Sequence, residues 1–467
     1  MKLTADRRGV VVIGAGNAGL CAALTARAGG ADVLVLERAP KPLRGGNSRH
    51  TRNLRVLHAA ADGFVTGPYR FDEFYRDLVS VTGEEIDADL AALTIRESET
   101  LPEWMSAHGV HWQAPLKGTL SLSRTNHFFL GGGKSLVNAY CAAAEDSGVQ
   151  MLYEAEVVGL EIDRRRVTHV DVALPGGDRR RIAVGAVVAA AGGFEANREW
   201  LREYWGDAAD HFIIRGTPYN DGGVLRLMLD AGARRVGDPR GIHAIAVDAR
   251  APAYDGGIVT RLDAPPIGII VNREALRFAD EGEDLWPKRY ATWGRLIAEQ
   301  PAQLAYAVFD AKVRDAYIPG LYPPVAAGSV AALARELGLD ASRLELTVAE
   351  FNRSCRPGCR FDLSELDDCE TDGLIPPKRH WARPIDTPPF YGYPLRPGIT
   401  FTYLGVAVDA GARVQREGNA FANLFAAGEI MSGNILTRGY LAGFGMTIGS
   451  VWGRIAGREA AACSSSH

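Results

Sequence analysis

The sequence predicts an α/β fold in which one parallel sheet is assembled from both ends of the chain, with an α+β domain inserted between them. Three observations predict it. A strand–loop–helix–strand unit opens the chain at Val10–Glu37. Buried strand-then-glycine stretches return at Ala186–Gly193 and Leu424–Glu429. Between them, from Asp230 to about Pro394, the composition shifts to proline, arginine and aromatic residues, with a helical piece at Val330–Leu337. The expected division is 1–229 with 395–467 for the sheet domain and 230–394 for a capping domain.

The opening unit reads VVVIGAGNAGLCAALTARAGGADVLVLER. Val10–Ile13 is a β-branched run suited to a strand buried on both faces. Gly14, Gly16 and Gly19 follow at GxGxxG spacing. They permit the tight turn, the close approach of a pyrophosphate, and the packing of helix on strand. The second strand, Asp32–Leu36, ends in Glu37, at the distance expected for an acid that bonds ribose hydroxyls. Glycines alone also make ordinary turns, but strand, helix, second strand and acid together predict an ADP-containing cofactor.

The loop Ala39–Asn53, dense in glycine and arginine, is placed to meet the pyrophosphate and ring of a large cofactor. GGGKS at Gly131–Ser135 lacks the first glycine of a phosphate-binding loop, Phe128 standing there, and reads as a turn opening a helix. Met151–Val158 and Val167–Leu174 alternate like a small antiparallel pair. His108 and His111 lack a third ligand, and read as surface or core histidines. Cys355, Cys359 and Cys369 are close in sequence, but loose spacing and a missing fourth ligand argue against a metal.

With 52 basic and 56 acidic residues, a net charge of −4 leaves no footprint for nucleic acid. No apolar run is long enough to span a membrane, MKLTADRR leads straight into the first strand, and six cysteines suit a reducing compartment. The expectation is a cytoplasmic protein. With one GxGxxG, a glycine-rich second loop and a capping insertion, FAD is the cofactor expected, with substrate lying over the flavin.

At these residues the sequence resembles the flavoprotein family of fumarate reductase, succinate dehydrogenase and 3-ketosteroid dehydrogenase. VVVIGAGNAGL, GGNS, VVAAAGGFEAN, IIVNREALRFADE and LFAAGE match its successive landmarks. Within it, GGNSRHTRNLR, LSRTNHFFLGGGKSLVNAY, EGEDLWPKRYATWGRL and SGNILTRGYLAGFGMTIGS are similar to the FAD-dependent tricarballylate dehydrogenase branch. The resemblance implies a Rossmann-like FAD-binding domain built from both chain ends, and a mobile cap. It implies desaturation of a carbon–carbon bond beside carboxylates, tricarballylate to cis-aconitate, with hydride passing to the flavin. It also implies a separate membrane-associated iron–sulfur protein as electron acceptor.

The cofactor contacts implied are Gly14, Ala15, Gly16, Asn17, Ala18, Gly19, Glu37 and Arg38, then Gly45, Gly46, Asn47 and Ser48 of the second loop. Val157, Ala191, Gly192, Gly428, Glu429, Gly445, Met446, Thr447 and Ile448 complete the set. Ser48 better matches the position at which some members attach FAD covalently than His50 does, so non-covalent FAD is expected. The catalytic candidates are Arg289 for proton transfer, Arg438 and His243 for substrate, and Tyr440, where the steroid branch polarises a ketone. Each has a plainer reading, as a solvated charge, a structural histidine or packing. Phe401 replaces the histidine of fumarate reductases in FTYLGV, which removes one fumarate contact. A ketone desaturase, an ene reductase on another acid, and a non-catalytic flavin electron-transfer subunit stay open.

Overall fold

A computed structural model describes residues 7–83, 85–115, 122–254, 259–317 and 319–465. Its main sheet grows from β1 (Arg7–Ile13), whose Val10, Val11 and Val12 are fully buried, as a parallel strand covered on both faces requires. β1 pairs in parallel with β2 (Val33–Leu36) on one side and with Arg179–Ala189 on the other. The path across the sheet runs Arg413–Arg416, Asn419–Ala426, Arg179–Ala189, β1, β2, Gln150–Leu152. Both ends of the chain thus build one α/β sheet, as the glycine-ended strands predict.

Met151–Val158, expected as one antiparallel strand, is divided. Gln150–Leu152 joins β2 in parallel, the chain turns at Glu154 (φ 53°), and Glu156–Asp163 opens an antiparallel meander with Arg166–Ala173. The turn is held where Ala155 N donates to Glu37 O (3.0 Å), over the end of β2. Alternation of side chains runs through such a turn unbroken, so pattern alone does not reveal it.

Helix α1 (Asn17–Ala28) lies against the C-terminal helix Phe444–Ser465. Gly449, Gly453 and Gly457 share one face of that helix and let the two backbones touch. A Cβ at Gly453 would stand 2.4 Å from the Ala18 carbonyl oxygen, and one at Gly457 2.3 Å from that of Ala22. Asn17 Nδ2 secures the contact, donating to Met446 O (3.1 Å) and Ser450 Oγ (3.0 Å).

A second sheet forms around the 13-residue strand Phe390–Thr402. Ala305–Asp310 pairs with its first half and Ile242–Asp248 with its second, both antiparallel. Its outer face carries a separate apolar cluster, in which Leu333 of Val330–Leu337 and Leu344 and Phe351 of Ala341–Ser354 pack on Ile269, Val271 and Val308. Cys359 and Cys369 are joined as a disulfide, and the Cys355 thiol donates to Phe351 O, so the three are not a set of free thiols. Among the described residues no helix is long and apolar enough to cross a membrane.

Candidate active site

The loop after β1 opens one end of a long cavity. Gly14 takes φ 103°, closed to side chains, and a Cβ there would stand 2.4 Å from Ala190 O. Gly19 does not line the cavity but meets the loop from behind, where a Cβ would fall 1.9 Å from Gly14 O. Ala15, Gly16, Asn17 and Ala18 line the cavity at the first turn of α1. The N–H groups of that turn lack helical acceptors and carry the positive end of the helix dipole, the partner a diphosphate takes. Asn17 N donates to Ser48 Oγ (2.9 Å), drawing the second loop over the same end.

Glu37 closes β2, buried within the cavity wall, with Ala15 N and Ala39 N donating to its carboxylate at 3.0 and 2.8 Å. Burial raises its proton affinity, and those amides oppose the rise. A carboxylate accepts about four hydrogen bonds, so lone pairs remain for ribose hydroxyls. Arg38 pairs with Asp221 (2.5 Å) and Glu156 (3.2 Å) at this end, beside Val157.

Gly45, Gly46, Asn47 and Ser48 line the middle, facing Ala191, Gly192, Gly428 and Glu429 from the ends of the two parallel strands. Asn47 is the tie. Its Nδ2 donates to Glu195 Oε1 (2.5 Å) and Thr400 O (2.7 Å), and its Oδ1 accepts from Thr217 N (2.8 Å). Gly445 and Met446 also line the cavity, whereas Thr447 and Ile448 are buried behind it, the Thr447 hydroxyl donating to Arg55 O. Gly133 of the GGGKS turn packs under the second loop, its N donating to Thr51 O (2.8 Å).

The far end is cationic and aromatic. Arg52, Arg215 and Arg261 line it with His243, Tyr290 and Tyr440. Arg215 Nη1 donates to Thr400 Oγ1 (3.1 Å), and Arg261 Nη2 to Asp263 Oδ2 (2.5 Å). Burial, with Arg261 nearby, lowers Arg52 to about 10. Burial would raise Asp263, but Arg261 and Arg52 outweigh it and hold its carboxyl below the usual range. His243 Nε2 meets the Tyr290 hydroxyl at 3.2 Å, and its ring stacks on Tyr440, centroids 4.0 Å apart. Burial, then Arg215 and Arg261, keep His243 neutral well below its ordinary titration. Burial raises the Tyr290 phenol, and the arginines, Arg261 first, oppose that. The Tyr440 hydroxyl accepts from Gly445 N (2.8 Å).

The arginines singled out by the sequence lie elsewhere. Arg289 does not line the cavity, its guanidinium pairing with Glu283 on the outer side of the helix Trp286–Arg289. Arg438 is exposed, lying against Gly83. His108 bonds Trp104 O through Nδ1 (2.7 Å), and His111 is exposed. Arg52 carried a signal, standing within the arginine-rich second loop, and Tyr290 stands in the WPKRY segment next to Arg289, whereas Arg215 and Arg261 had no motif to mark them.

The FAD binding domain family matches residues 9–443. The chain belongs to this family. It is 24% identical to an NADH:acrylate oxidoreductase from Vibrio harveyi, over 97% of this chain and 50% of that protein. With a cytochrome-type fumarate reductase from Shewanella frigidimarina the identity is 26%, over 98% of this chain and 77% of the other. A 3-ketosteroid-Δ4-(5α)-dehydrogenase from Rhodococcus jostii RHA1, solved with 4-androstene-3,17-dione, shares the fold at a TM-score of 0.75, with 22% identity over 97% of both chains. The chain thus spans half of the Vibrio protein and about three quarters of the Shewanella one. FAD is the cofactor of this family member, and the residues fit it: an acid for the ribose, a helix N-terminus for the diphosphate, and a glycine-walled slot leading to the cationic end.

Proposed function

We propose that this flavoprotein is an oxidoreductase that moves two hydrogens across a carbon–carbon bond of a polycarboxylate. Tricarballylate to cis-aconitate is the reaction that the motifs of the sequence favour. The observation that carries the reading is the convergence of Arg52, Arg215 and Arg261 at one end of the FAD cavity. Guanidinium forks grip carboxylates bidentately, and a substrate with several carboxylates suits several such forks. Residues 1–229 with 395–467 form the cofactor-binding part and 230–394 the cap in this reading.

When bound, FAD supplies the hydride acceptor or donor. The protein's part is to fix the bond and to handle a proton. The arginines fix the carboxylates, and the ring of Tyr440, stacked on His243, forms a wall beside the substrate carbons. Tyr290 is the proton-handling group. In desaturation its phenolate, which Arg261, Arg215 and Arg52 favour, takes the proton from the carbon next to the hydride-losing one. In the reductive direction, the course named for the acrylate and fumarate enzymes, the same proton returns. A ketone substrate is the second reading, supported by Tyr440, whose hydroxyl accepts from Gly445 N and keeps its own proton to donate. Electrons leave or enter through a separate iron–sulfur partner in this proposal.

An anaerobic visible spectrum recorded with tricarballylate, fumarate and 4-androstene-3,17-dione in turn tests the class of substrate. Bleaching by the tricarboxylate supports the first reading, and bleaching by the steroid alone replaces it with the second. Chemically reduced protein reoxidised by fumarate alone makes it an ene reductase. Flavin unchanged in every arm refutes the proposal.

A further inference from the structure

A pair of buried carboxyl groups stands in the wall of the FAD cavity with no part in the chemistry above. Glu195 follows the strand Arg179–Ala189 and is fully buried, and Glu429 follows Asn419–Ala426, is 9% exposed and lines the cavity. Parallel pairing of the two strands, Ala426 opposite Ala189, brings their loops side by side and sets the two carboxyl groups against each other. The donors around them are already committed. Asn47 Nδ2 (2.5 Å) and Asn220 Nδ2 (2.8 Å) both donate to Glu195 Oε1. Thr402 N (2.8 Å) and Thr402 Oγ1 (3.3 Å) both donate to Glu429 Oε1. No N–H or O–H of the described residues reaches the buried Glu195 Oε2. Ionised carboxylates only accept, so two of them cannot bond each other, and the missing donor is a proton.

We infer that Glu195 and Glu429 share a single proton and form a reversible donor in the wall that holds FAD. With the proton on Glu429, the cavity meets a carboxylic acid that donates. With the proton moved across to a Glu195 oxygen, it meets a carboxylate that accepts, and the charge of the pair stays −1. Burial favours protonation of both groups, and the charge of Glu195 adds to the effect at Glu429. Among the described residues the phenols Tyr403 and Tyr440 also feel the charge of Glu429, and both are pushed up, by burial first, and therefore neutral. Neither glutamate is a catalytic residue here, for they act on FAD by positioning it.

The test is infrared spectroscopy of the FAD-loaded protein at pH 7 in H2O and D2O. A protonated-carboxyl C=O band above the amide I envelope, shifted down in D2O, is expected in the wild type. Glu195→Gln and Glu429→Gln should each remove it, because the glutamine amide then donates to the remaining carboxylate, which ionises. A wild type without such a band overturns the inference with no variant needed. A band removed by only one substitution also overturns it, since that is a lone acid, and so does one that survives both.

Discussion

Replacing Tyr290 by phenylalanine removes one oxygen from the candidate site and little else. The ring keeps its places beside Arg261, 5.4 Å from the guanidinium carbon, and Trp286, 6.2 Å between centroids. What is lost is the 3.2 Å hydrogen bond to His243 Nε2, between neutral partners, which costs about 1 kcal/mol of stability. A positioned proton-transfer group contributes about 10²–10⁴-fold, or ~2.7–5.4 kcal/mol of barrier, so single-turnover flavin reduction should slow by at least ~100-fold. KM should change little, because the arginines that bind carboxylates are untouched. The neighbouring substitution, Arg289→Ala, supplies the contrast. Its ion pair with Glu283 is 30% and 40% exposed, and a pair of that kind is worth about 0–1 kcal/mol, so the rate should stay within ~5-fold of wild type. Anaerobic stopped-flow absorbance, normalised to bound flavin, reads both. If Arg289→Ala falls 100-fold while Tyr290→Phe keeps its rate, the assignment of the proton to Tyr290 is refuted.

Three other outcomes are expected. Arg261→Ala takes away a carboxylate fork and leaves the half-buried Asp263 without its 2.5 Å partner, so kcat/KM on a polycarboxylate should fall ~30-fold or more while flavin content holds, and unchanged steady-state kinetics would remove Arg261 from the substrate end. Gly19→Ala sets a methyl 1.9 Å from Gly14 O, which the loop cannot absorb in place, so the protein should purify without flavin, read from its visible absorbance. His50 is held down at about 4, by burial first and then by Arg49 and Arg215, against an ordinary 6.5. The unfolded chain therefore binds a proton below pH 6.5 that the folded chain refuses until about pH 4, and stability falls across that window by up to ~3 kcal/mol. Urea titrations at pH 7 and pH 5 should show a smaller drop for His50→Gln, and an equal drop would mean that His50 is solvated.

The cofactor end was legible in the sequence because its demands fall on the backbone and on neighbours in the chain. A turn that needs φ 103° and a crossing that leaves no room for a methyl can be met only by glycine, and Gly14 and Gly19 declare both within six residues. The substrate end places no such demand. Arg52, Arg215 and Arg261 come from a loop, an extended segment and the approach to another loop, and only the assembled sheets bring them together. Any arginine satisfies a local pattern equally well. In WPKRY the separation of reading from structure is a single residue, since each helical step turns a side chain by about 100° and carries Arg289 outward where Tyr290 points in.

The close crossing of α1 and the helix Phe444–Ser465 bears on how the protein is made. Asn17 and Met446, bonded to each other, are 429 residues apart in sequence. A ribosome adding ~5–20 residues per second places the second at least ~20 seconds behind the first. Until then α1, the helix that meets the diphosphate, has a bare face where Gly453 and Gly457 will lie, and Asn17 has neither Met446 O nor Ser450 Oγ to hold. A product that stops short of Phe444 therefore leaves α1 without that clamp behind the turn that meets the diphosphate.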